Sequence, residues 1–122
     1  MPISYEIDTG AGIVRVTASG QVTAAELHTY FRDSLTAAGY RPDLQRLMVV
    51  VDITSFPTSA EVQAISMEIR SRAAVSPSVR FAVVVNTPLG LGMANMFFIQ
   101  AGLDERFATF PDEAAARAWL AG

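Results

Sequence analysis

LMVVVDITSFPTSAEV, residues 47–62, is the stretch that decides the fold. Its first five residues are apolar on both faces, which is typical of a central strand covered on each side. A short polar loop follows, and Thr58 with Glu61 has the spacing of a capping box, which predicts a helix start. Open α/β sheets place their working sites at such strand ends. The candidate site residues here are Asp52, Thr54, Ser55, Thr58 and Ser59.

The segments on either side extend this strand–loop–helix pattern. Residues 3–8 alternate apolar and polar, and a glycine-rich turn leads to a return strand over 13–18, which predicts a hairpin. Thr23 and Glu26 form a second capping-box pattern, and Gly39 is the predicted helix stop. The remaining predicted elements are a strand over 81–85, a helix containing Met93–Gln100, a strand over 106–110 and a helix after Asp112.

This order predicts an α/β fold. An N-terminal β-hairpin precedes alternating helices and strands, giving four helices and a mainly parallel five-stranded sheet with right-handed crossovers. No linker, repeat or low-complexity stretch divides the sequence, so we expect a single domain over residues 1–122.

Composition excludes several classes of function. The chain is 51% hydrophobic and 17% charged, which excludes a disordered protein. Its net charge of -3 and scattered arginines argue against nucleic-acid binding. The absence of cysteine excludes thiol nucleophiles, disulfides and cysteine-ligated metals, and is compatible with a cytoplasmic location. No signal-peptide pattern is visible.

An uncharged segment over residues 81–103 is long enough to cross a bilayer. However, Asn86, Thr87 and Pro88 interrupt it, and Gly90 and Gly92 follow closely. A buried strand, a turn and an uncharged helix explain this pattern better, so we expect a soluble protein with no membrane span.

Three motifs resemble the STAS and SpoIIAA-like group, the fold of bacterial anti-sigma factor antagonists. They are ASGQVTAAEL (18–27), VVVDITSFPTSAEV (49–62) and FPDEAAARAWL (110–120), so the resemblance covers nearly the whole chain. The turn over residues 20–23 and the ending over 118–120 look most like the uncharacterised SpoIIAA-like branch. The resemblance implies a non-catalytic regulatory module that interacts with other proteins.

In the antagonist branch, a partner kinase phosphorylates a serine at the start of the second helix, usually within Asp-Ser-Ser-Gly. Alignment with that pattern places Thr58 on the Asp, Ser59 on the first Ser and Ala60 on the second, which is the usual acceptor. Glu61 replaces the Gly and would repel a phosphate. Ser59, Thr58 and Ser55 are therefore candidates for a phosphoacceptor or anion contact, against the simpler interpretation that Thr58 and Ser59 cap the helix.

No catalytic set, metal site or cofactor is predicted. His28 is the only histidine, and its spacing from Ser55 and Asp52 does not predict a catalytic triad. The segment 89–95, LGLGMAN, resembles part of a dinucleotide fingerprint, but Asn95 occupies the third glycine position. Glycines that let a loop turn and a helix pack closely are the commoner explanation.

The uncharged helix near residues 93–99 is apolar on most sides and must be covered by something. We predict that one face is buried in the chain and that the other forms a homodimer contact, a partner groove or the wall of an apolar pocket. The residues assigned to this ligand or dimer contact are Asn86, Gly90, Gly92, Met93, Met96 and Phe97.

Three functions follow from these patterns. The first is a homodimeric interaction module with a regulatory protein partner. The second is a carrier or sensor of a small lipid-like molecule, suggested by the similarity of this fold to CRAL-TRIO domains, or of an anion or nucleotide. The third is a hydrolase using Ser55 or Ser59, which is disfavoured because His28 is the only conventional base.

Overall fold

The computed structural model describes residues 3–55, 57–72, 79–100 and 105–122, without the side chains of Ser59, Ser66 and residues 68–72. The strands in these ranges are β1 (Ile3–Asp8), β2 (Ile13–Gln21), β3 (Gln45–Ser55), β4 (Phe81–Val84) and β5 (Phe107–Phe110). The helices are α1 (Ala24–Thr36), α2 (Ser59–Arg72), α3 (Pro88–Gln100) and α4 (Glu113–Ala121). The predicted order of elements is confirmed.

The five strands form one sheet in chain order, from β1 to β5. β1 pairs antiparallel with β2, with Ile3 opposite Ala18 and Asp8 opposite Ile13. The other neighbours are parallel. Because each parallel strand is added on the same side of the previous one, right-handed crossovers place α1, α2 and α3 on one face of the sheet. The predicted α/β fold is confirmed.

The face beneath α1, α2 and α3 holds most of the core. Alternate residues of β2 and β4 point into it, including Val14, Val16 and Val83, each at most 1% exposed. Ile65 of α2 and Phe98 of α3 are also buried there. α2 packs mainly against α1 and α3.

α4 covers the opposite face over β3, β4 and β5. Ala116 and Leu120 pack on Leu47 and Ala82 in a third apolar cluster. The Arg80 guanidinium fixes the end of the helix, because it donates to the Leu120 carbonyl at 2.9 Å. On β2, Ile13 belongs to the same cluster, and α4 also contacts β2 through the ion pair between Arg15 and Glu113.

β2 and β3 are both longer than predicted, ending at Gln21 and Ser55 rather than at 18 and 51. Their added residues pair with each other across an irregular register, Gly20 with Ile53 and Gln21 with Ser55. Such pairing joins residues more than thirty positions apart, which a local pattern cannot predict.

Two helix boundaries also differ from prediction. α1 ends at Thr36, before the predicted stop at Gly39, and Ala37 is already extended. α3 begins at Pro88, so residues predicted as turn lie in its first turn. Proline is tolerated there because the first amides of a helix need no partner within it. Among the described residues, no helix is long and apolar enough to cross a membrane.

Arg46 lies beneath α1 and is only 3% exposed. Its guanidinium donates to the Tyr30 hydroxyl at 2.7 Å and to the Tyr40 hydroxyl at 3.2 Å. Burial raises the pKa of Tyr30, with Arg46 acting against that rise. The cluster ties the start of β3 to α1, at the end of the sheet opposite the candidate site.

Candidate functional site

The parallel strands end at one edge of the sheet, where four connections lead into the helices. We call this edge the carboxyl-end rim and define it as residues 20–26, 52–62, 85–91 and 110–116. Sites in open α/β sheets lie at this edge because the helix starts and the loops converge there. The rim brings together Asp52, Thr54, Ser55 and Thr58 of the predicted site with Asn86 and Gly90.

The rim is acidic. Five of the twelve carboxylates and none of the nine arginines lie in its four segments; the five are Glu26, Asp52, Glu61, Asp112 and Glu113. No arginine lies within these four segments, although Arg15 and Arg117 contact one of the five carboxylates, Glu113. Counting charges by strand end, rather than along the chain, would have revealed this.

Two rim carboxylates belong to capping boxes. The Thr23 hydroxyl accepts the Glu26 amide at 3.2 Å, and the Glu26 carboxylate accepts the Thr23 amide at 3.2 Å. The same reciprocal pair joins Thr58 and Glu61, at 3.3 and 2.9 Å. Both predicted capping boxes are confirmed, and each supplies a local reason for the helix to begin there.

The other two helices are capped as well. The Thr87 hydroxyl accepts the Gly90 amide at 3.1 Å at the start of α3. The Asp112 carboxylate accepts the Ala115 amide at 2.8 Å at the start of α4. At each of these two helix starts a side chain of the rim therefore satisfies one of the free amides of the first turn.

Glu113 is held by two arginines. Its carboxylate accepts bonds from Arg15 at 2.9 Å and from Arg117 at 2.9 Å. These hydrogen bonds, from Arg15 first and Arg117 second, lower the pKa of Glu113 from 4.5 to about 2. The pair joins the start of α4 to β2, so this carboxylate has a structural role.

Asp52 is the rim carboxylate that the fold does not use. It is exposed, and its carboxylate accepts no hydrogen bond from any described residue. Its φ of +50° places it in the left-handed region, at the irregularity where β3 pairs with Gly20. Asp adopts this conformation more readily than most residues, but it is uncommon outside glycine.

The neighbouring polar residues have different surroundings. Thr54 is exposed, whereas Ser55 is half-buried and its carbonyl accepts the Val22 amide at 3.1 Å. Ser59 is the first residue of α2, and its side chain lies outside the described part. Within the described residues, no hydrogen bond joins His28 to Ser55 or Asp52, and no group of carboxylate or histidine side chains could hold a metal ion.

α3 has an inner flank, Gly90, Ala94 and Phe98, which is buried against the sheet. Met93 and Phe97 are half-buried, pack on the core and line the apolar cavity described below. Met96 is half-buried. A uniformly apolar helix gives no moment that indicates its buried side, so the sequence did not show which of these residues face inward.

The outer flank of α3, Leu89, Leu91, Gly92 and Ile99, faces away from the core. Leu89, Leu91 and Ile99 are 52%, 41% and 59% exposed. Gly90 packs closely, because an added Cβ would lie 2.6 Å from Cγ2 of Val85. An added Cβ on Gly92 would meet nothing within 4 Å. Close packing therefore explains Gly90 but not Gly92.

A small cavity of about 50 Å³ lies between the sheet, α1 and α3. Its walls are almost wholly apolar, and include Val16, Val50, Val83 and Phe97. The sequence pattern predicted an apolar pocket beside α3 as one alternative. It could not show that the cavity lies between α3, α1 and the sheet.

These features define an α/β module of the STAS type: an opening hairpin, sequential parallel strands and a helix that starts beside the end of the central strand. The SpoIIAA-like family model matches residues 13–121, and the chain belongs to the SpoIIAA-like family. A search of curated proteins finds no match.

Proposed function

We propose that this protein is a non-catalytic regulatory module that binds a protein partner through the carboxyl-end rim, with Asp52 as the central contact. The observation that carries the proposal is the state of the five rim carboxylates. Four have a structural role within the chain, whereas Asp52 is exposed in a left-handed conformation that the fold must stabilise. Unusual backbone conformations of this kind are concentrated at functional positions.

The charge of the rim defines the chemistry of the partner. Glu113 is paired with Arg15 and Arg117, so the other four rim carboxylates give the rim its negative charge, which favours approach by a basic surface and repels acidic ones. The partner would therefore present arginine or lysine side chains to Asp52. Thr54 and Thr58, both exposed and in the same rim segment as Asp52, would supply neutral hydrogen-bonding groups.

In this proposal the partner recognises the permanent negative charge of the rim carboxylates. The phosphorylation switch of the antagonist branch is not used. The Thr58 hydroxyl already accepts the Glu61 amide, and a phosphate on Thr58 or Ser59 would meet the Glu61 carboxylate. Ser55, as a half-buried strand residue, is the least accessible of the three candidate acceptors.

The test is affinity capture from the source lysate with immobilised wild type, Asp52→Asn and Asp33→Asn. Asp33 is a matched control, since it is an exposed aspartate on α1 away from the rim. We expect a captured protein that Asp33→Asn retains, that Asp52→Asn loses, and that about 0.5 M salt releases because surface charges are then screened. Equal capture by the two variants would contradict the proposal.

A second candidate function is binding of a small apolar molecule, and the cavity favours it. Its volume of about 50 Å³ is smaller than the roughly 150 Å³ of a cavity known to bind benzene. A lipid-like ligand would therefore require the elements that line the cavity, including α1 and α3, to move apart.

The variant Val83→Ile tests whether the cavity is only a packing gap. Val83 lines the cavity, and one added methylene would stabilise the fold by about 0.8 kcal/mol. Val14→Ile is the matched control, because Val14 is fully buried on β2 but does not line the cavity, and overpacking there costs about 1–3 kcal/mol. A ligand site predicts instead that Val83→Ile lowers retention of a co-purified organic molecule, measured by native mass spectrometry.

A further inference from the structure

On the basis of the proposed function, we infer that the start of α3 is the apolar part of the rim contact and that the partner binds with a basic amphipathic segment. The proposed function names only the charge of the partner, and the start of α3 adds a requirement for apolar side chains beside the basic ones. Three features carry this: the composition of the helix starts, the exposure of Leu89 and Leu91, and their position near Asp52.

The start of α3 differs from the other three helix starts of the described structure. α1, α2 and α4 each carry a glutamate in the first turn, Glu26, Glu61 and Glu113, which the positive end of a helix dipole favours. The first turn of α3 has no acidic residue, and after Pro88 it reads Leu-Gly-Leu. The requirements of a helix start therefore do not explain the apolar character of this turn.

Internal packing does not explain the two leucines either. Leu89 is 52% exposed and Leu91 is 41% exposed. Gly90 between them packs on the sheet, so it is the glycine and not the leucines that holds the start of α3 in place. Exposed apolar residues within a polar surround are typical of an interaction surface.

α3 begins beside the end of β3. A Cβ added to Gly90 would lie 3.7 Å from Cγ1 of Val50, which is two residues before Asp52. β3 and β4 are neighbouring parallel strands, so the loops that follow them leave the sheet side by side. α2 also contacts α3, and the first turn of α2 carries Glu61. The two leucines therefore lie in the same part of the rim as both carboxylates.

The rim carboxylates select the occupant of this apolar surface. Asp52 and Glu61 would repel an anionic membrane, and docking of two rims on each other would bring two acidic surfaces together. A protein segment with arginine or lysine beside its apolar side chains meets neither obstacle. It would place an apolar side chain on the leucines and its cations against the carboxylates, which matches the apolar centre and polar surround of protein interfaces.

The rim is large enough for such a contact. Its four segments comprise about thirty residues, and one side of a standard interface uses about 20–30. The leucines form a small part of this surface, so they would strengthen and orient the contact that the charges of the rim attract.

Direct binding of a synthetic peptide tests the inference. The probe is a fluorescent amphipathic peptide of leucine and lysine, about 18 residues or five helical turns long. A second peptide has the same composition in an order that removes the apolar face, so the two carry the same charge. Fluorescence anisotropy gives the dissociation constant of each. We expect wild type to bind the second peptide at least about fivefold more weakly, because the apolar contact is lost.

Leu91→Gln should weaken binding of the amphipathic peptide by a similar factor, at least about fivefold. Ile99→Gln is the matched control and should bind like wild type, since Ile99 is also exposed on α3 but lies at the end away from the rim. Both variants replace exposed residues, so urea unfolding should show that each is as stable as wild type. Asp52→Asn should also weaken binding, through the loss of charge.

Equal binding by Leu91→Gln and Ile99→Gln would overturn the inference, as would equal binding of the two peptides or no binding of either. Binding to vesicles of equal parts phosphatidylcholine and phosphatidylglycerol in place of the peptide, lost in Leu91→Gln, would assign the start of α3 to a membrane. A dimer that only Leu91→Gln dissociates would assign it to a second copy, and both results would overturn the inference.

Failure here is distinct from failure of the proposed function. Weaker peptide binding by Asp52→Asn with unchanged binding by Leu91→Gln would overturn the apolar requirement and leave recognition by charge intact. The capture experiment with Asp52→Asn and Asp33→Asn tests that recognition separately, because neither variant alters α3.

Discussion

The two flanks of α3 have similar composition but opposite surroundings. Gly90, Ala94 and Phe98 on the inner flank pack against the sheet, where Gly90 has no room for a side chain. Leu91, Gly92 and Ile99 on the outer flank are exposed. The comparison shows that an apolar residue or a glycine indicates function only once its neighbours are known, because the same residue type serves packing on one side of a helix and remains unused on the other.

The largest difference in stability between the flanks should appear when Phe98 and Ile99, which are adjacent in α3, are each replaced by alanine. Phe98 is 2% exposed and stacks on Phe107 with ring centroids 4.7 Å apart. Phe98→Ala should lower the free energy of unfolding by about 3–5 kcal/mol. Ile99→Ala should change it by less than about 0.5 kcal/mol, as is usual at exposed positions. Urea denaturation measures both, and equal losses would show that the flanks are wrongly assigned.

A smaller loss is expected for Gly90→Ala. The added Cβ would lie 2.6 Å from Val85 Cγ2 and 3.0 Å from Thr87 Oγ1, so neighbouring atoms must move. Overpacking costs about 1–3 kcal/mol, and the better helix propensity of alanine offsets about 1 kcal/mol. We expect a net destabilisation of up to about 2 kcal/mol in thermal or urea unfolding. A higher stability would mean that α3 sits further from Val85 than described.

The contribution of α4 to the free energy of unfolding should depend on pH, whereas that of α3 should not. α3 has no ionisable side chain, whereas α4 is joined to β2 through Glu113, whose pKa is lowered to about 2. The stabilisation is present above pH 4.5, the ordinary pKa, and is lost as pH falls from there towards 2. Allowing for solvent screening, it amounts to about 1 kcal/mol.

Glu113→Gln tests this by urea unfolding at pH 7 and pH 3. The variant should be less stable than wild type at pH 7, and the difference should shrink at pH 3. Asp33→Asn, at an exposed position, should show no such convergence. A constant difference between Glu113→Gln and wild type would show that the Arg15–Glu113 contact does not lower this pKa.

Gly92→Ala should give the smallest effect and the opposite sign to Gly90→Ala. Since the position is helical and open, alanine should raise the stability of the dilute monomer by roughly 0.5–1 kcal/mol. Thermal unfolding at low protein concentration is the appropriate measurement. A destabilised variant would reveal an internal packing role for Gly92.

Local patterns predicted much of the fold. Thr23 with Glu26 and Thr58 with Glu61 mark helix starts because capping involves residues only three apart. The alternating hairpin and the apolar central strands were likewise visible, because burial on one or both faces leaves a direct pattern.

The remaining features depend on distant contacts. The irregular pairing of Gly20 with Ile53, which places Asp52 in its left-handed conformation, joins segments far apart in sequence. The acidic rim appears only when strand ends are brought together. Asp52 and Thr54 were identified as site candidates from their place after the strand, but nothing local indicated that Asp52 alone would lack a structural role.

The account's central claim is that this SpoIIAA-like protein acts through its surface, at the carboxyl-end rim, rather than through an interior site. Native mass spectrometry of gently purified protein tests this most directly, because it reports assembly and retained mass together. We predict that each species has the mass of a whole number of chains and retains no other molecule. A stoichiometric retained organic molecule would contradict the claim and indicate that the cavity between the sheet, α1 and α3 holds a ligand.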